Sequence, residues 1–268
     1  MSLILRNPHS VLATLLERPK DVSQIVIPPH ALSEGWDKVA KVARERNVPI
    51  LTSLRGERSP SPEKGGRKPE KRSSQARGSG QNASPHEGGR TSHAEAWVKD
   101  RTPLSAEEIF SQAPRRAGGK GLWLALDCLQ DPHNLGAIFR VAAFFKVEGI
   151  LLTQERSASL TSTVYDVASG GVEYVPFALQ TNLQRGFEVA KEAGLWILGA
   201  SEHAKDSIET ITRDRPWLLV LGNEEKGMRR LTEESCDLLC KVAGEGKVTS
   251  LNVSVAAGIL VSSLAPRK

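Results

Sequence analysis

From residue 122 onward, short apolar runs alternate with amphipathic segments along the chain. The run at 122–126 is wholly apolar, which is typical of a strand buried on both faces of a parallel sheet. Residues 135–145 carry apolar side chains at helical spacing, and 149–152 predict the next strand. This alternation predicts an α/β fold with a mostly parallel sheet and helices on both of its faces.

The same alternation continues to the end of the sequence. Thr181 and Gln184 are spaced as in a capping box, which predicts the start of a helix. The last helix is rich in small residues. The further elements predicted are a helix from Thr181 to Ala193, strands at 195–198 and 217–221, a short helix from Thr232 to Leu239 and a closing helix from Leu251 to Leu264.

The first 54 residues predict a small α/β domain. Its expected elements are a helix from His9 to Arg18, a strand at 23–27, a helix from Ser33 to about Arg46 and a strand at 48–51. Such a short segment supplies a thin core. We therefore expect a further strand near residues 94–98 to complete it.

A basic segment separates these two parts. Residues 55–90 contain nine Lys or Arg and four Asp or Glu, so this segment accounts for the whole net charge of +5. Its only apolar side chains are Ala76 and Ala83, which predicts disorder. It is either a solvated spacer or a basic arm that adds salt-dependent affinity for RNA phosphates. The predicted division is 1–54 for the small domain, possibly completed by 92–100, then 55–91 for the linker, 101–120 for a connection and 121–268 for the main domain.

Composition excludes several classes of protein. No run of about 18 apolar residues predicts a membrane span. Arg6 and Asn7-Pro8 interrupt the N-terminus too early for a signal peptide, so we expect a cytoplasmic protein. Cys128, Cys236 and Cys240 are too few for a disulfide framework and lack metal-ligand spacing, which favours structural roles and no metal.

Three polar segments beside the predicted strands carry the candidate chemistry. They are Asp131-Pro132-His133-Asn134-Leu135-Gly136 continuing to Arg140, then Gly222-Asn223-Glu224-Glu225-Lys226-Gly227, then Ser250-Leu251-Asn252-Val253-Ser254. Open α/β sheets bind their ligands where strands hand over to loops and helices. The sequence therefore predicts one site that is assembled from three distant segments.

Each segment also has a simpler interpretation. Arg140 could be a surface arginine, the Glu224 loop an ordinary turn, and Ser250 a helix N-cap. A nucleotide site is not favoured, because the glycine cluster at 118–121 precedes its strand, whereas a phosphate-binding loop must follow one.

Together, however, the three segments resemble the motifs of the SpoU-type (TrmH-like) ribose 2'-O-methyltransferases of the SPOUT superfamily. The resemblance covers 121–268 and is greatest to the branch that methylates a guanosine of 23S ribosomal RNA. The motifs match in order and spacing at Asn134-Leu-Gly-x-x-x-Arg140, Gly222-x-Glu224-x-x-Gly227 and Ser250-Leu-Asn252-Val-Ser254. Asn7-Pro8-His9-Ser10-Val11 is similar to the start of the family's small RNA-binding domain.

The resemblance implies a fold and a cofactor that the residue pattern alone does not give. It implies a deep trefoil knot in the C-terminal domain, a homodimer with the site across its interface, and S-adenosylmethionine as cofactor without a metal. The cofactor would meet the backbone at Gly222, Val242 and Leu251, and at Ala200.

The resemblance also implies roles for the polar side chains. Arg140 would lie at the reacting ribose hydroxyl, although a guanidinium is almost always protonated and is an awkward base. Asn134 and Glu224 would orient Arg140, while Ser250 and Asn252 would shape the pocket. The alternatives are methylation of tRNA, and a non-catalytic RNA-binding or ribosome-assembly factor with the same fold.

Overall fold

The computed structural model describes residues 2–31, 33–52, 93–111, 113, 121–154, 157–248 and 250–266. The predicted linker at 55–91 and most of the glycine cluster at 118–121 lie outside the described residues.

The N-terminal elements form a four-stranded sheet in the order β1-β4-β2-β3. The strand predicted near residues 94–98 is present as β4, which pairs with β1 and β2 in antiparallel register. Its residues Ala96 and Val98 are fully buried. Strand β1 was not predicted, since its four residues are too short to show a period. The elements are β1 (Ser2–Leu5), α1 (Pro8–Glu17), β2 (Val22–Val26), α2 (Glu34–Glu45), β3 (Ile50–Leu51) and β4 (Glu95–Lys99).

The remaining elements build a seven-stranded sheet in the order β7-β6-β5-β10-β8-β11-β9, in which every pair is parallel. This confirms the predicted sheet. Its elements are α3 (Ala106–Phe110), β5 (Leu122–Leu126), α4 (Pro132–Phe144), β6 (Ile150–Thr153), α5 (Ser162–Ala168), α6 (Gly171–Tyr174), β7 (Phe177–Gln180), α7 (Leu183–Glu192), β8 (Trp196–Ala200), β9 (Asp206–Ser207), β10 (Trp217–Leu221), α8 (Arg230–Glu234), β11 (Leu238–Lys241) and α9 (Val253–Leu264).

The core has two layers, one on each face of this sheet. Helices α4, α5, α6 and α9 cover one face together with the small sheet, and α3 and α7 cover the other. The central strands β5 and β10 are buried along their whole length, which explains their continuous apolar sequence. No helix in the described part of the chain is both long and apolar enough to span a bilayer.

Two local predictions were wrong. Helix α7 is capped at Asn182 without a side-chain bond, so the capping box at Thr181 does not form. The helix predicted over 232–239 ends at Glu234, and the chain returns to the sheet as β11. Asp237 causes this return, because its backbone N–H donates to the Ile197 carbonyl and its carboxylate accepts from the Ile197 N–H, both at 2.8 Å.

Polar contacts fix the small sheet to the helices that flank α4. The Glu173 carboxylate accepts from Arg18 Nε at 2.8 Å and from Thr14 Oγ1 at 3.0 Å. The Asp166 carboxylate accepts from the backbone N–H of Asn7 at 2.9 Å. The N-terminal part is therefore held in a defined position beside α5 and α6, and these helices pack on α4.

Candidate active site

The candidate site lies at the carboxyl ends of adjacent parallel strands. Ala200 ends β8, Gly222 directly follows β10, and Val242 directly follows β11, in the sheet order β10-β8-β11. Ala200 pairs with Cys240 in register. Neighbouring strands lie about 4.8 Å apart, so these three predicted cofactor positions form one short row.

A chain of hydrogen bonds joins the three polar segments. The Asn252 side-chain Nδ2 donates to Asn134 Oδ1 at 3.0 Å, and Asn134 Nδ2 donates to Glu224 Oε1 at 3.1 Å. These residues come from the start of α9, the first turn of α4 and the loop after β10. The structure thus brings together one side chain from each predicted segment.

The start of α4 is built to hold Asn134 in this chain. Asp131 caps the helix by accepting from the His133 N–H at 2.8 Å, and Pro132 occupies the first turn, where it costs no hydrogen bond. The Asp131 N–H also faces Glu224 Oε1 at 3.4 Å. Asn134 is buried. Its side-chain Nδ2 donates to Glu224 of the second segment, and its Oδ1 accepts from Asn252 of the third.

The glycines of the second segment close a tight loop. A Cβ at Gly222 would lie 2.3 Å from the carbonyl carbon of Gly227 and from the Met228 nitrogen, so only glycine fits there. Gly227 has a φ of 66°, which favours glycine. The backbones of Asn223 and Gly227 exchange hydrogen bonds at 2.9 and 3.0 Å. The loop is therefore a closed turn that presents Glu224 to α4.

Helix α9 begins two residues later than predicted. Asn252, not Ser250, is the N-cap of α9, and its Oδ1 accepts from the Ser254 N–H at 2.9 Å. Asn252 therefore both caps α9 and binds Asn134. Ser250 is exposed beside it and forms no hydrogen bond with another described residue.

The structure separates Arg140 from the residues expected to orient it. Six residues along α4 place Arg140 about 120° around the helix from Asn134. Its side chain is exposed and has no hydrogen bond or ion pair with any described residue, while Glu224 bonds to Asn134 instead. The expected orientation of Arg140 by Asn134 and Glu224 is therefore not made within this chain.

The loop around the strand ends has open backbone groups and exposed apolar side chains. Among the described residues, no main-chain hydrogen bond engages Gly222, Val242 or Leu251. Val248 and Leu251 are 81% and 49% exposed, which is high for apolar residues in one loop. Open peptide groups beside apolar side chains suit a ligand with both a flat apolar part and polar edges.

The surroundings of the three cysteines disfavour thiol chemistry. Burial, and then the charge of Asp127, raise the pKa of Cys128, and burial raises the pKa values of Cys236 and Cys240 to about 12. These thiols stay protonated at neutral pH and are poor nucleophiles. Across the described ranges, no group of three or more His, Cys, Asp or Glu side chains is placed to hold a metal.

Sequence reasoning missed three residues of this region. Asn223 Nδ2 donates to the Cys128 carbonyl at 2.9 Å, and Asp127 pairs with Arg229 at 2.7 Å. The sequence did show a charged residue, Asp127, directly after the strand at 122–126. It also showed an arginine, Arg229, just after the loop that contains Glu224. The sequence could not identify Arg229 as the partner of Asp127, because the two residues are 102 positions apart and meet only in the folded chain.

Comparison with known proteins places this site in a family. A model of the SpoU rRNA methylase family matches residues 121–262. The RlmB 23S rRNA (guanosine-2'-O-)-methyltransferase of Nitrosomonas europaea is 50% identical over 138 residues, which are 52% of this chain and 53% of that protein. The match thus spans about half of that relative's length. The Pseudomonas putida protein of the same name is 33% identical over 94% of this chain and 91% of its own.

Solved structures share the whole fold. The SpoU methyltransferase AviRb of Streptomyces viridochromogenes, solved with AdoMet, superposes with a TM-score of 0.70 at 16% identity over 98% of this chain and 89% of its own. An AdoMet-bound rRNA methyltransferase of Sinorhizobium meliloti gives 0.67 at 20% identity over 98% and 86%. The matched sequence model, the full-length relative and the three joined motifs together mean that this chain belongs to the SpoU rRNA methylase family.

Proposed function

We propose that this chain transfers a methyl group from S-adenosylmethionine to a ribose 2'-hydroxyl of RNA, at a guanosine of 23S ribosomal RNA. The observation that carries the proposal is the hydrogen-bond chain from Asn252 through Asn134 to Glu224. It assembles polar groups beside a row of open strand ends, as a group-transfer site requires. The names of the relatives in Nitrosomonas and Pseudomonas support the choice of guanosine and of 23S rRNA.

The cofactor fits the strand-end loops. Gly222, Val242 and Leu251 offer unengaged peptide groups, Ala200 lies in the same row, and Val248 offers apolar surface for an adenine ring. No phosphate has to be bound, which agrees with the lack of a phosphate-binding loop. When bound, S-adenosylmethionine supplies a methyl group on a positively charged sulfur, which a ribose oxygen can attack.

Arg140 is assigned to the RNA side of the reaction. Its guanidinium forms no hydrogen bond or ion pair with any described residue, and the planar fork of an arginine suits a phosphate. It would bind the phosphate next to the target ribose and stabilise the oxygen as its proton leaves. Asn134 and Glu224 would fix the site's shape, with Asn252 and Ser250 closing the pocket beside the cofactor.

A second copy of the chain would complete the site. Along α4 an exposed stripe contains Arg140 and Phe144, the latter 81% exposed, and α9 exposes Val255 and Ile259. The two helices pack together, so their apolar stripes offer a surface for a symmetric partner. In such a homodimer Arg140 would lie at the interface and could be oriented by groups that its own chain does not provide.

The rest of the chain would deliver the substrate. We assign RNA binding to the small N-terminal domain, with the basic segment at 55–91 as a further contact for phosphates, and place the enzyme in the cytoplasm with its rRNA. The trefoil knot is part of the same proposal for residues 121–268. The knot would let the segment after β11, which β8 and β10 separate from β5 in the sheet, return to the start of α4.

The test is methyl transfer from labelled S-adenosylmethionine to protein-free 23S rRNA and to tRNA in separate reactions. The product is mapped by primer extension that stops at 2'-O-methylated riboses. We expect transfer to 23S rRNA at one guanosine, and a large loss of transfer with Arg140→Ala. Arg185→Ala is the matched control, because Arg185 is an exposed arginine on α7 at the other face of the sheet.

Each other outcome selects an alternative. Transfer to tRNA alone would reassign the substrate. No transfer to either RNA by the wild-type protein would favour a non-catalytic RNA-binding factor, and undiminished transfer by Arg140→Ala would remove Arg140 from the mechanism.

A further inference from the structure

An ion pair between a buried carboxylate and a partly exposed guanidinium ties the far end of the Glu224 loop to the end of β5. Asp127 directly follows β5 and its side chain is fully buried, while Arg229 is the last residue before α8. Asp127 Oδ1 accepts from Arg229 Nε at 2.8 Å, and Oδ2 accepts from the Arg229 backbone N–H at 3.0 Å. A buried carboxylate requires such partners.

The loop is thus attached to the segment 127–134 at three points. Arg229 binds Asp127, and the Asn223 side chain binds the Cys128 carbonyl at 2.9 Å. Between them, Glu224 binds Asn134. Cys128 adopts a left-handed backbone with a φ of 59°, which is uncommon for a residue other than glycine and is found where surrounding structure dictates it.

The strands themselves do not need this pair. Five residues of β5 pair with β10 in register, and the ladder continues through the Asp127 N–H to the Leu221 carbonyl at 2.8 Å. The Arg229 side chain is 44% exposed, so water screens its attraction to Asp127 and stability alone is a weak reason for the pair. The pair fixes the position of the loop end at Arg229. Because the turn from Asn223 to Gly227 is closed by hydrogen bonds, the pair also fixes the position of Glu224.

We infer that Asp127 and Arg229 form a positioning pair for the methyl-transfer site. Their role is to hold the loop at 222–229 so that Glu224 accepts a hydrogen bond from Asn134. That bond keeps the Asn134 side-chain oxygen oriented toward Asn252. This inference rests on the proposed function. It assigns the pair to the reaction step rather than to cofactor binding, because Gly222 directly follows β10, whose pairing with β5 and β8 does not involve Asp127 or Arg229 side chains.

The test compares Arg229→Lys with Arg230→Lys in the full-length protein. Lysine keeps the charge but lacks the planar fork that lets one side chain donate from Nε and Nη together. Arg230 is the matched control, since it is 80% exposed and, among the described residues, its ion pair is with Glu234 of the same helix. Binding of S-adenosylmethionine is measured first, so that kcat is counted per folded, cofactor-binding site.

With Arg229→Lys we expect kcat per binding site to fall about tenfold or more, since small misplacements near a reacting centre are costly. The dissociation constant of S-adenosylmethionine should change by less than about threefold, and amide hydrogen exchange at 223–227 should become faster. Arg230→Lys should change none of these. A merely structural role would lower the number of binding sites and leave kcat per site unchanged.

Unchanged kcat per site with Arg229→Lys would overturn the inference. If that variant does not fold, Arg229→Gln is compared with Arg230→Gln in the same way, because glutamine removes the charge-assisted bonds to Asp127. Failure of the proposed function is a separate result, because the wild-type protein would then transfer no methyl group to RNA.

Discussion

The Nδ2 of Asn252 donates a 3.0 Å hydrogen bond to the Oδ1 of Asn134, which lies 118 residues earlier in the chain. This bond sets the orientation of the Asn134 side-chain amide. Because the Asn134 oxygen is used as acceptor, its Nδ2 is left to donate to Glu224 at 3.1 Å. Each asparagine therefore fixes the orientation of the next group along the chain.

Asn252→Asp should uncouple the site without unfolding α9. Aspartate is a good N-cap, so its carboxylate can still accept from the Ser254 N–H. It cannot donate to Asn134, and two oxygens would face each other. Such a loss costs about 1–3 kcal/mol of stability, so the melting temperature should fall by only several degrees. We expect kcat to fall about 10-fold or more, because Asn134 no longer has a fixed orientation.

Asn182→Asp is the control for this substitution. Asn182 is also a helix N-cap and makes no side-chain capping bond, but it lies on α7 at the other face of the sheet. It should leave kcat unchanged. Full activity of Asn252→Asp would mean that the bond to Asn134 has no part in the reaction.

The sequence predicted what depends on local pattern. The apolar runs at 122–126 and 217–221 are strands because burial on both faces demands continuous apolar residues, and the motif residues Asn134, Glu224 and Asn252 do meet. The sequence pattern failed to predict features that depend on a partner far away in the chain. The segment after Glu234 becomes a strand because Asp237 bonds to Ile197, and the pairing of Asp127 with Arg229 spans 102 residues.

Glu173→Ala should strongly destabilise the docking of the small sheet. The Glu173 side chain is 1% exposed and binds Arg18 at 2.8 Å, so its removal leaves a partly buried guanidinium without this partner. Breaking a buried pair from one side costs about 3–5 kcal/mol of unfolding free energy. Urea denaturation measures this, with Glu34→Ala as the control, because Glu34 forms an exposed pair with Lys38. Equal effects of the two substitutions would show that Glu173 does not anchor the small sheet.

Phe144→Lys should weaken the proposed homodimer. A charge at this exposed apolar position would have to be buried if α4 and α9 meet a second copy. Analytical ultracentrifugation should show a shift toward monomer, together with reduced methyl transfer. Leu16→Lys places a charge at an exposed leucine of α1 and should leave the mass unchanged. A dimer that survives Phe144→Lys must use another surface.

Stability should fall at alkaline pH. Burial raises the pKa of Cys240 to about 12 from its ordinary value of 9.0, with a smaller contribution from Asp206. A raised pKa in the folded state stabilises fully below pH 9, and this contribution is lost as the pH rises toward 12, because the unfolded thiol ionises first. Burial raises the pKa values of Cys236 and Tyr165 to about 12 as well, which adds to the same trend.

Denaturation curves between pH 8 and 10.5 measure this effect. One thiol contributes a slope of at most about 1.4 kcal/mol per pH unit, and Cys240→Ala should remove that share. An identical pH slope in the variant would show that Cys240 ionises equally in both states.

The chemical position of the transferred methyl group tests the proposed reaction most directly. Protein-free 23S rRNA is incubated with S-adenosylmethionine and the wild-type protein, digested to nucleosides and analysed by mass spectrometry. We expect a guanosine whose extra methyl mass stays with the ribose fragment, and none of it when Asn134→Ala replaces the wild type. A methyl group on the base, or no methylated nucleoside from the wild-type reaction, would contradict ribose 2'-O-methylation at this site.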